Sequence, residues 1–166
     1  MKPNPKNKES IRSRWMRRRL NFFPSYRRSG GRITYLSENY KEVWIKLSLN
    51  RNTRNYVGTV FGGSIYAAMD PIYMFQLIHI LGDDYIVWDK SANIKFLKPI
   101  RDKVYACFRI SDDIILKIKD QVNAKNKYTF TLSASFTDNS GVTYAQVEKE
   151  LYVAVVNKLR KTNKNE

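Results

Sequence analysis

The feature that most constrains this chain is a nearly continuous apolar segment at residues 65–81, which follows a loop that contains Gly62 and Gly63. A helix that is apolar on all sides must be enclosed by other parts of its fold. Asp70 and Pro71 interrupt the segment, which suits a buried helix better than a membrane span. The segment therefore predicts a long central helix wrapped by the rest of the chain.

One acidic residue, Asp70, lies inside this apolar segment. An isolated buried carboxylate is costly, so we expect Asp70 to be paired, neutralised or functional. Pro71 has no N–H group and should kink the helix beside Asp70 or mark a local irregularity there. Gly62 and Gly63 carry no Cβ, so a ligand could approach the backbone closely where the helix starts and its N–H groups are unpaired.

Segments with alternating polarity precede and follow the central helix, and this period of two is typical of strands. They lie at residues 33–36, 43–49, 85–97, 104–110, 128–136 and 143–156. Ser111 with Asp112 and Asp113 predicts the start of one further short helix. Strands and helices do not alternate, which favours an α+β fold with an antiparallel sheet around one helix.

The strand at 85–97 contains an exception to its apolar pattern. We predict that one face carries Ile86, Trp88, Lys90, Ala92, Ile94 and Phe96. Lys90 is the only charged member of this set. It could pair with Asp70, extend its ammonium group to solvent or contribute to a site.

The net charge of +15 is concentrated at the two ends of the chain. Residues 1–32 hold 11 lysines and arginines against one acid, whereas residues 33–156 are almost balanced. We predict a basic arm at 1–32, a globular domain at 33–156 and a disordered basic tail at 157–166. Apolar residues at helical spacing within 10–20 indicate an amphipathic helix, and the aromatic residues of 22–26 indicate a packed connector.

Composition also restricts the function classes. A single cysteine, Cys107, excludes an internal disulfide framework and fits a reducing compartment, so we expect a cytoplasmic protein. No phosphate loop, metal-ligand cluster or dinucleotide pattern is present, so we expect no separate cofactor. We interpret His79, the only histidine, as a core or interface residue. Ser64 lacks an evident His–acid pair, which disfavours a serine hydrolase.

The loop and the element order together carry a family resemblance. The matching positions are Asn55, Gly58, Phe61, Gly62, Gly63 and Asp70. In this spacing the chain resembles the PaaI-like thioesterases of the hotdog-fold superfamily, in which a curved antiparallel β-sheet wraps around a long central α-helix. Asp70-Pro71 and the Trp-Asp-Lys at 88–90 are similar to an uncharacterised bacterial branch of that superfamily.

The resemblance implies an activity and a set of roles. The activity is hydrolysis of an acyl-CoA or acyl-carrier thioester, with coenzyme A as part of the substrate. Asp70 would act as general base or nucleophile, the N–H of Gly63 would bind the oxyanion, and Asn55 would orient the water or the carbonyl. Gly62, Phe61, Ser64 and Lys90 would line the substrate site. The protein would be a homodimer or tetramer with each site shared between two subunits.

One departure from the family keeps alternatives open. Phe61 stands where those thioesterases have a histidine, and phenylalanine cannot donate a hydrogen bond. The chain could therefore be a catalytically silent hotdog module that binds acyl groups or only dimerises. A third alternative is that the arm at 1–32 contacts an anionic surface, either a membrane or nucleic acid without sequence specificity. The competing interpretation is that this helix packs on its own domain and that its arginines are only solvated.

Overall fold

The computed structural model of the protein describes residues 9–156, so the expected tail at 157–166 lies outside the described residues. Its elements, in chain order, are α1 (Ile11–Phe22), α2 (Pro24–Ser29), β1 (Arg32–Leu36), β2 (Glu42–Ser48), α3 (Gly62–Met69), α4 (Ile72–Leu81), β3 (Tyr85–Phe96), β4 (Lys103–Arg109), α5 (Asp112–Lys125), β5 (Lys127–Thr137) and β6 (Thr143–Val155).

The six strands form one antiparallel sheet in the order β1-β2-β4-β5-β6-β3. Apolar side chains of α3 and α4 join those of the sheet in a single core, which includes Met69, Leu77, Phe108 and Phe136. This curved sheet around a central helical segment confirms the predicted α+β class and hotdog architecture. β1 and β3 are the two edges of the sheet.

The central helix is interrupted where the sequence predicts an irregularity. α3 ends at Met69, Asp70 caps it by donating its N–H to Tyr66 O at 2.9 Å, and α4 resumes at Ile72. Pro71 has no N–H to continue the ladder, although its carbonyl accepts the first bond of α4, from Phe75 N at 2.9 Å. The break leaves Asp70 between two helices rather than inside one.

A β-bulge in β3 makes our prediction for this strand wrong in its first half. Asp89 pairs with Leu151 and Ser91 with Glu150, so Lys90 is the extra residue. One extra residue places the side chains before and after the bulge on opposite alternations. The residue that is buried before the bulge is therefore Val87, and not Ile86 or Trp88. The remaining predicted positions, Ala92, Ile94 and Phe96, pair with inward residues of β6.

The two N-terminal helices lie on the domain. Met16 and Leu20 pack against the core, and the buried Tyr26 donates its hydroxyl to Ala68 O at 3.3 Å. The prediction of a packed connector is wrong for Phe22 and Phe23, which are both exposed. α1 continues to Phe22, and Pro24 at once begins α2, so these two rings lie at the junction of the two helices, where Phe23 borders an apolar cleft with Leu20.

The side chain of Asn21 joins α1 to the edge strand β1. Its Nδ2 donates to Ile33 O at 2.9 Å, and its Oδ1 accepts from Ile33 N at 2.8 Å. Asn21 therefore pairs with an edge residue as a neighbouring strand would, and it occupies backbone groups that would otherwise be open at this edge.

Replacing Asn21 with alanine should lower the free energy of unfolding by about 2 kcal/mol, because two partly buried backbone groups lose their partners. Urea denaturation followed by circular dichroism measures the change. Asn123→Ala is the matched control, since Asn123 is exposed on α5 and alanine is the better helix former. Equal stabilities of the Asn21 variant and the wild type would show that water replaces the amide without cost.

Candidate functional site

The loop before α3 is shaped by Asn55. Its Oδ1 accepts from Val57 N at 3.1 Å and from Thr59 N at 2.9 Å, and its Nδ2 donates to Thr59 Oγ1 at 2.9 Å. The loop then holds the start of the helix, because Phe61 N donates to Thr53 O at 2.7 Å. The amide of Asn55 is thus engaged within its own loop, beside a pocket of about 280 Å³ that it helps to line.

The start of α3 presents backbone N–H groups without partners. Phe61 is the N-cap residue and makes no side-chain capping bond. The first bond of the helix is donated by Ile65 N to Phe61 O at 3.1 Å. Within residues 9–156, the N–H groups of Gly62, Gly63 and Ser64 have no hydrogen-bond acceptor. These groups and the helix dipole favour a negatively charged or carbonyl oxygen here.

Two aromatic rings lie against the glycines. A Cβ on Gly63 would lie 2.3 Å from Cε1 of Phe61, and a Cβ on Gly62 would lie 3.2 Å from Cζ of Phe96. A side chain at position 63 would therefore displace the Phe61 ring, whereas one at position 62 would require only a small shift of Phe96. Phe96, at the end of β3, also lines the 280 Å³ pocket beside the helix start. Ser64 is buried in the first turn of α3.

Asp70 lies at the centre of a charged cluster. Lys149 Nζ is 2.5 Å from Asp70 Oδ1 and 3.1 Å from Asp89 Oδ2. The Lys149 side chain is 1% exposed, whereas Asp70 keeps 41% of its side chain exposed and Asp89 keeps 23%. Tyr66 completes the cluster, with its ring centroid 5.5 Å from Lys149 Nζ. The lysine is therefore buried beneath a carboxylate that solvent or a ligand can reach.

Burial and charge act in opposite directions on this cluster. Burial by itself would lower the pKa of Lys149, but the hydrogen bonds and charges of Asp70 and then Asp89 outweigh it and raise the pKa. Burial raises the pKa of Asp89, an effect that Lys149 opposes in part. Burial, followed by the neighbouring Asp70, also raises the pKa of Tyr66. Asp89 Oδ1 is buried and has no partner among the described residues.

The structure brings together only some of the predicted site residues. The residues of the loop pattern lie together at the start of α3, beside the 280 Å³ pocket; they are Asn55, Phe61, Gly62 and Gly63. Lys90 lies apart from them, exposed at the bulge of β3, and the ion-pair partner of Asp70 is Lys149 rather than Lys90. The hypothesis of an Asp70–Lys90 pair is therefore wrong, because the bulge turns Lys90 outward.

Lys149 and Asp89 are the residues that sequence reasoning missed. Lys149 lies in β6 on the face that buries Ala145, Val147, Leu151 and Val153. A lysine at the centre of such an alternating apolar run was a detectable signal, because a buried ammonium group needs an acidic partner. Asp89 left no comparable signal, since its inward position depends on the bulge.

Other candidate residues have structural roles. His79 is exposed rather than part of the core: its Nδ1 lies 2.9 Å from Phe75 O, and its ring stacks on Tyr40 with centroids 4.5 Å apart. Cys107 is a partly buried thiol on β4. Across residues 9–156, no group of three metal-ligating side chains forms a metal site, and none of the helices there has the length and apolarity that crossing a bilayer requires.

The two halves of the predicted site are separated within one chain. Gly63 is in the first turn of α3 and Asp70 follows its last residue. Seven residues of α-helix span about 10 Å, so the carboxylate of Asp70 and the amide of Gly63 cannot both contact one carbonyl group.

Comparison with known proteins connects this geometry with a family. Residues 9–153 match the model of the domain of unknown function DUF4442. No curated protein matches the chain. A protein of unknown function from Pseudomonas aeruginosa, described as a probable thioesterase, is 15% identical with a TM-score of 0.76, over 90% of this chain and 99% of that one.

Two further solved structures are similar in fold. A thioesterase from Haemophilus influenzae is 15% identical with a TM-score of 0.64, over 90% of this chain and 94% of that chain. Thioesterase superfamily member 2 from Mus musculus is 14% identical with a TM-score of 0.63, over 86% and 98% of the two chains. At these identities the likeness is one of fold, and it confirms the predicted hotdog architecture.

Proposed function

Since the chain belongs to the DUF4442 family and has the hotdog fold of the thioesterase superfamily, we propose that it hydrolyses an acyl thioester of coenzyme A or of an acyl carrier. The observation that carries the proposal is the carboxylate of Asp70, which is partly exposed at the break in the central helix and held from below by the buried Lys149. The uncapped amides of Gly62 and Gly63 support it, because they suit a developing oxyanion.

The proposed reaction needs a base, an oxyanion site and a leaving thiol. Asp70 takes a proton from water as the water oxygen attacks the thioester carbonyl carbon. The carbonyl oxygen gains negative charge, which the N–H of Gly63 stabilises. Collapse of this intermediate breaks the carbon–sulfur bond, and the proton held by Asp70 passes to the departing thiolate. The products are a carboxylic acid and a free thiol such as that of coenzyme A.

A homodimer fits this proposal better than a monomer. Asp70 and Gly63 of one chain are too far apart for one carbonyl, so each site would combine the carboxylate of one subunit with the helix start of the other. β3 is an edge strand of 12 residues that exposes Trp88 and Phe96. An edge strand of this length presents unpaired backbone groups, which favour pairing with a second strand. Analytical ultracentrifugation should give twice the chain mass.

A direct assay tests the activity. Purified protein is incubated with acyl-CoA thioesters of increasing chain length, and also with an acylated carrier protein, in the presence of a thiol-trapping dye. We expect thiol release above the spontaneous rate for at least one substrate. Heat-denatured protein supplies the blank. No release from any thioester in either series would reject the proposal.

Phe61 offers a gain-of-function test. Its ring lies against Gly63. The PaaI-like thioesterases that the chain resembles have a histidine at the position of Phe61, which polarises or positions the thioester. Because an imidazole N–H can donate to the carbonyl, Phe61→His should raise kcat/KM by about tenfold. Phe61→Leu is the control for lost ring packing. If the two variants have the same kcat/KM, this position does not contact the reacting group.

Phe61 also favours a second candidate function, an acyl-binding module without hydrolysis. The exposed ring adds apolar surface beside the pocket and supplies no hydrogen bond. This candidate predicts that native mass spectrometry detects a complex with acyl-CoA whose mass does not change over hours. Loss of the acyl group from the bound ligand would exclude it.

A further inference from the structure

The outer face of α1 carries a stripe of exposed apolar side chains that the core does not use. Ile11, Trp15 and Phe22 are 85%, 57% and 70% exposed. Their spacing of four and seven residues places them along one line of the helix. Phe23, 60% exposed, follows directly. We call these four residues the outer stripe.

The opposite face fixes the orientation of α1. Met16 and Leu20 pack on the core, and Asn21 is bonded to the backbone of β1. Ser13 is buried, and Ser10 Oγ caps the helix by accepting from Ser13 N at 3.2 Å. With this face docked, the outer stripe must point to solvent. Several large apolar side chains exposed on one side of a helix indicate an interaction site.

Arginines border the stripe on both sides. The exposed ones on α1 and α2 are Arg12, Arg14, Arg18, Arg19, Arg27 and Arg28. Among the described residues, Glu9 is the only acid that pairs with the arginines of α1 and α2. Its carboxylate oxygens lie 2.7 Å from Arg17 Nε and 3.9 Å from Arg14 Nε. The guanidinium of Arg19 lies over the Trp15 ring at 4.7 Å. Most of this positive charge is therefore uncompensated.

A cleft beside the stripe is suited to a phosphate group. Its volume is about 550 Å³, and Arg17, Arg18, Arg27 and Arg32 line it with Phe22. Arg17 already donates from Nε and Nη2 to Glu9. The guanidinium groups of Arg18, Arg27 and Arg32 provide the paired N–H donors for the oxygens of a phosphate. Apolar surface and phosphate-binding surface thus meet at Phe22.

We infer that α1 docks this protein on an anionic lipid membrane. The outer stripe inserts at the boundary between headgroups and acyl chains, and the arginines bind the lipid phosphates. The helix lies in the plane of the membrane. The inference does not depend on the proposed hydrolysis.

The chemistry of the surface favours a membrane over two other partners. A second copy of the chain would bring two strongly basic faces together, and the repulsion would oppose contact. A nucleic acid would engage the arginines, but it has no apolar interior for the exposed side chains of Ile11 and Phe22. α1 also packs on β1, the opposite sheet edge from β3, so a dimer formed along β3 leaves the stripe open.

Vesicle flotation with the full chain tests the inference. One set of vesicles is pure phosphatidylcholine and the other contains about 30 mol % phosphatidylglycerol. We expect flotation only with the anionic vesicles, and a blue shift of tryptophan fluorescence that Trp15→Phe removes. Trp15→Ser with Phe22→Ser should weaken binding at least tenfold, and Arg18→Gln with Arg19→Gln about thirtyfold. The matched control, Leu116→Ser with Lys117→Gln on the exposed side of α5, should bind as wild type.

Three results would overturn the inference. One is equal flotation with both vesicle types or with neither. Another is binding to single-stranded RNA that is as tight as binding to anionic vesicles and unaffected by the Trp15→Ser/Phe22→Ser pair, which would assign the arginines to nucleic acid. The third is a change of oligomeric state in that double variant, which would make the stripe a subunit interface.

Discussion

Replacing Lys149 with methionine should lower the free energy of unfolding by about 3 kcal/mol, the largest loss of stability we expect from any single change to the charged cluster. The aliphatic part of the side chain is kept, so packing changes little. The ammonium group is removed from between Asp70 and Asp89, and two carboxylates are left facing each other with no cation between them. Urea denaturation at neutral pH measures the loss.

The control and the rescue separate charge from packing. Lys90→Met removes the same charge from an exposed position in the same sheet, so its stability should change by less than about 0.5 kcal/mol. Adding Asp89→Asn to Lys149→Met removes one of the two facing charges and should recover part of the loss. If the double variant is no more stable than Lys149→Met, the destabilisation comes from packing alone.

The loss should also depend on pH. Burial raises the pKa of Asp89 although Lys149 opposes this, so the raised pKa must rise further once the lysine is removed. A carboxyl group whose pKa is raised on folding stabilises the protein below its unfolded pKa, and this contribution is lost as the pH increases through the folded pKa. The difference in stability between wild type and Lys149→Met should therefore be smaller near pH 4 than near pH 7.

Periodicity was enough to predict the α+β class because burial imposes it, whereas the hotdog architecture was predicted from the family resemblance. The alternation in β5 and β6 and the apolar run of α3 and α4 both describe residues that must face one core, and the structure confirms these elements. The break at Asp70 was also predictable, since proline cannot donate the bond that a continuous helix needs. Both predictions rest on properties of neighbouring residues in the chain, and contacts with distant residues do not alter these properties.

The details of the site were less accessible, because they depend on one inserted residue. The bulge at Lys90 sends Asp89 inward and Lys90 outward, and no local propensity distinguishes this from a regular strand. The partner of Asp70 is 79 positions away on β6, a contact that only the strand order creates. The exposure of Phe22 and Phe23 was missed for a different reason, since aromatic residues usually indicate packing.

Asp70→Asn should lower kcat by a factor on the order of 10³ on any thioester that the wild type hydrolyses, because an amide cannot accept the proton of the attacking water. Asparagine has nearly the same shape and can still accept a hydrogen bond from Lys149, and Asp89 remains as the counter-charge of that lysine. The fold should therefore be kept, and thermal unfolding of the variant checks this before its kinetics are compared with those of the wild type.

Asp89→Asn provides the matched comparison for Asp70→Asn. Both changes remove one carboxylate from Lys149, but Asp89 is the more buried of the two, with its Oδ1 closed off from partners. If Asp70 is the base and Asp89 only positions it through Lys149, Asp89→Asn should lower kcat by about tenfold, far less than Asp70→Asn does. Equal losses in the two variants would show that Asp70 acts through the stability of the cluster, and the role of base would then belong to another residue.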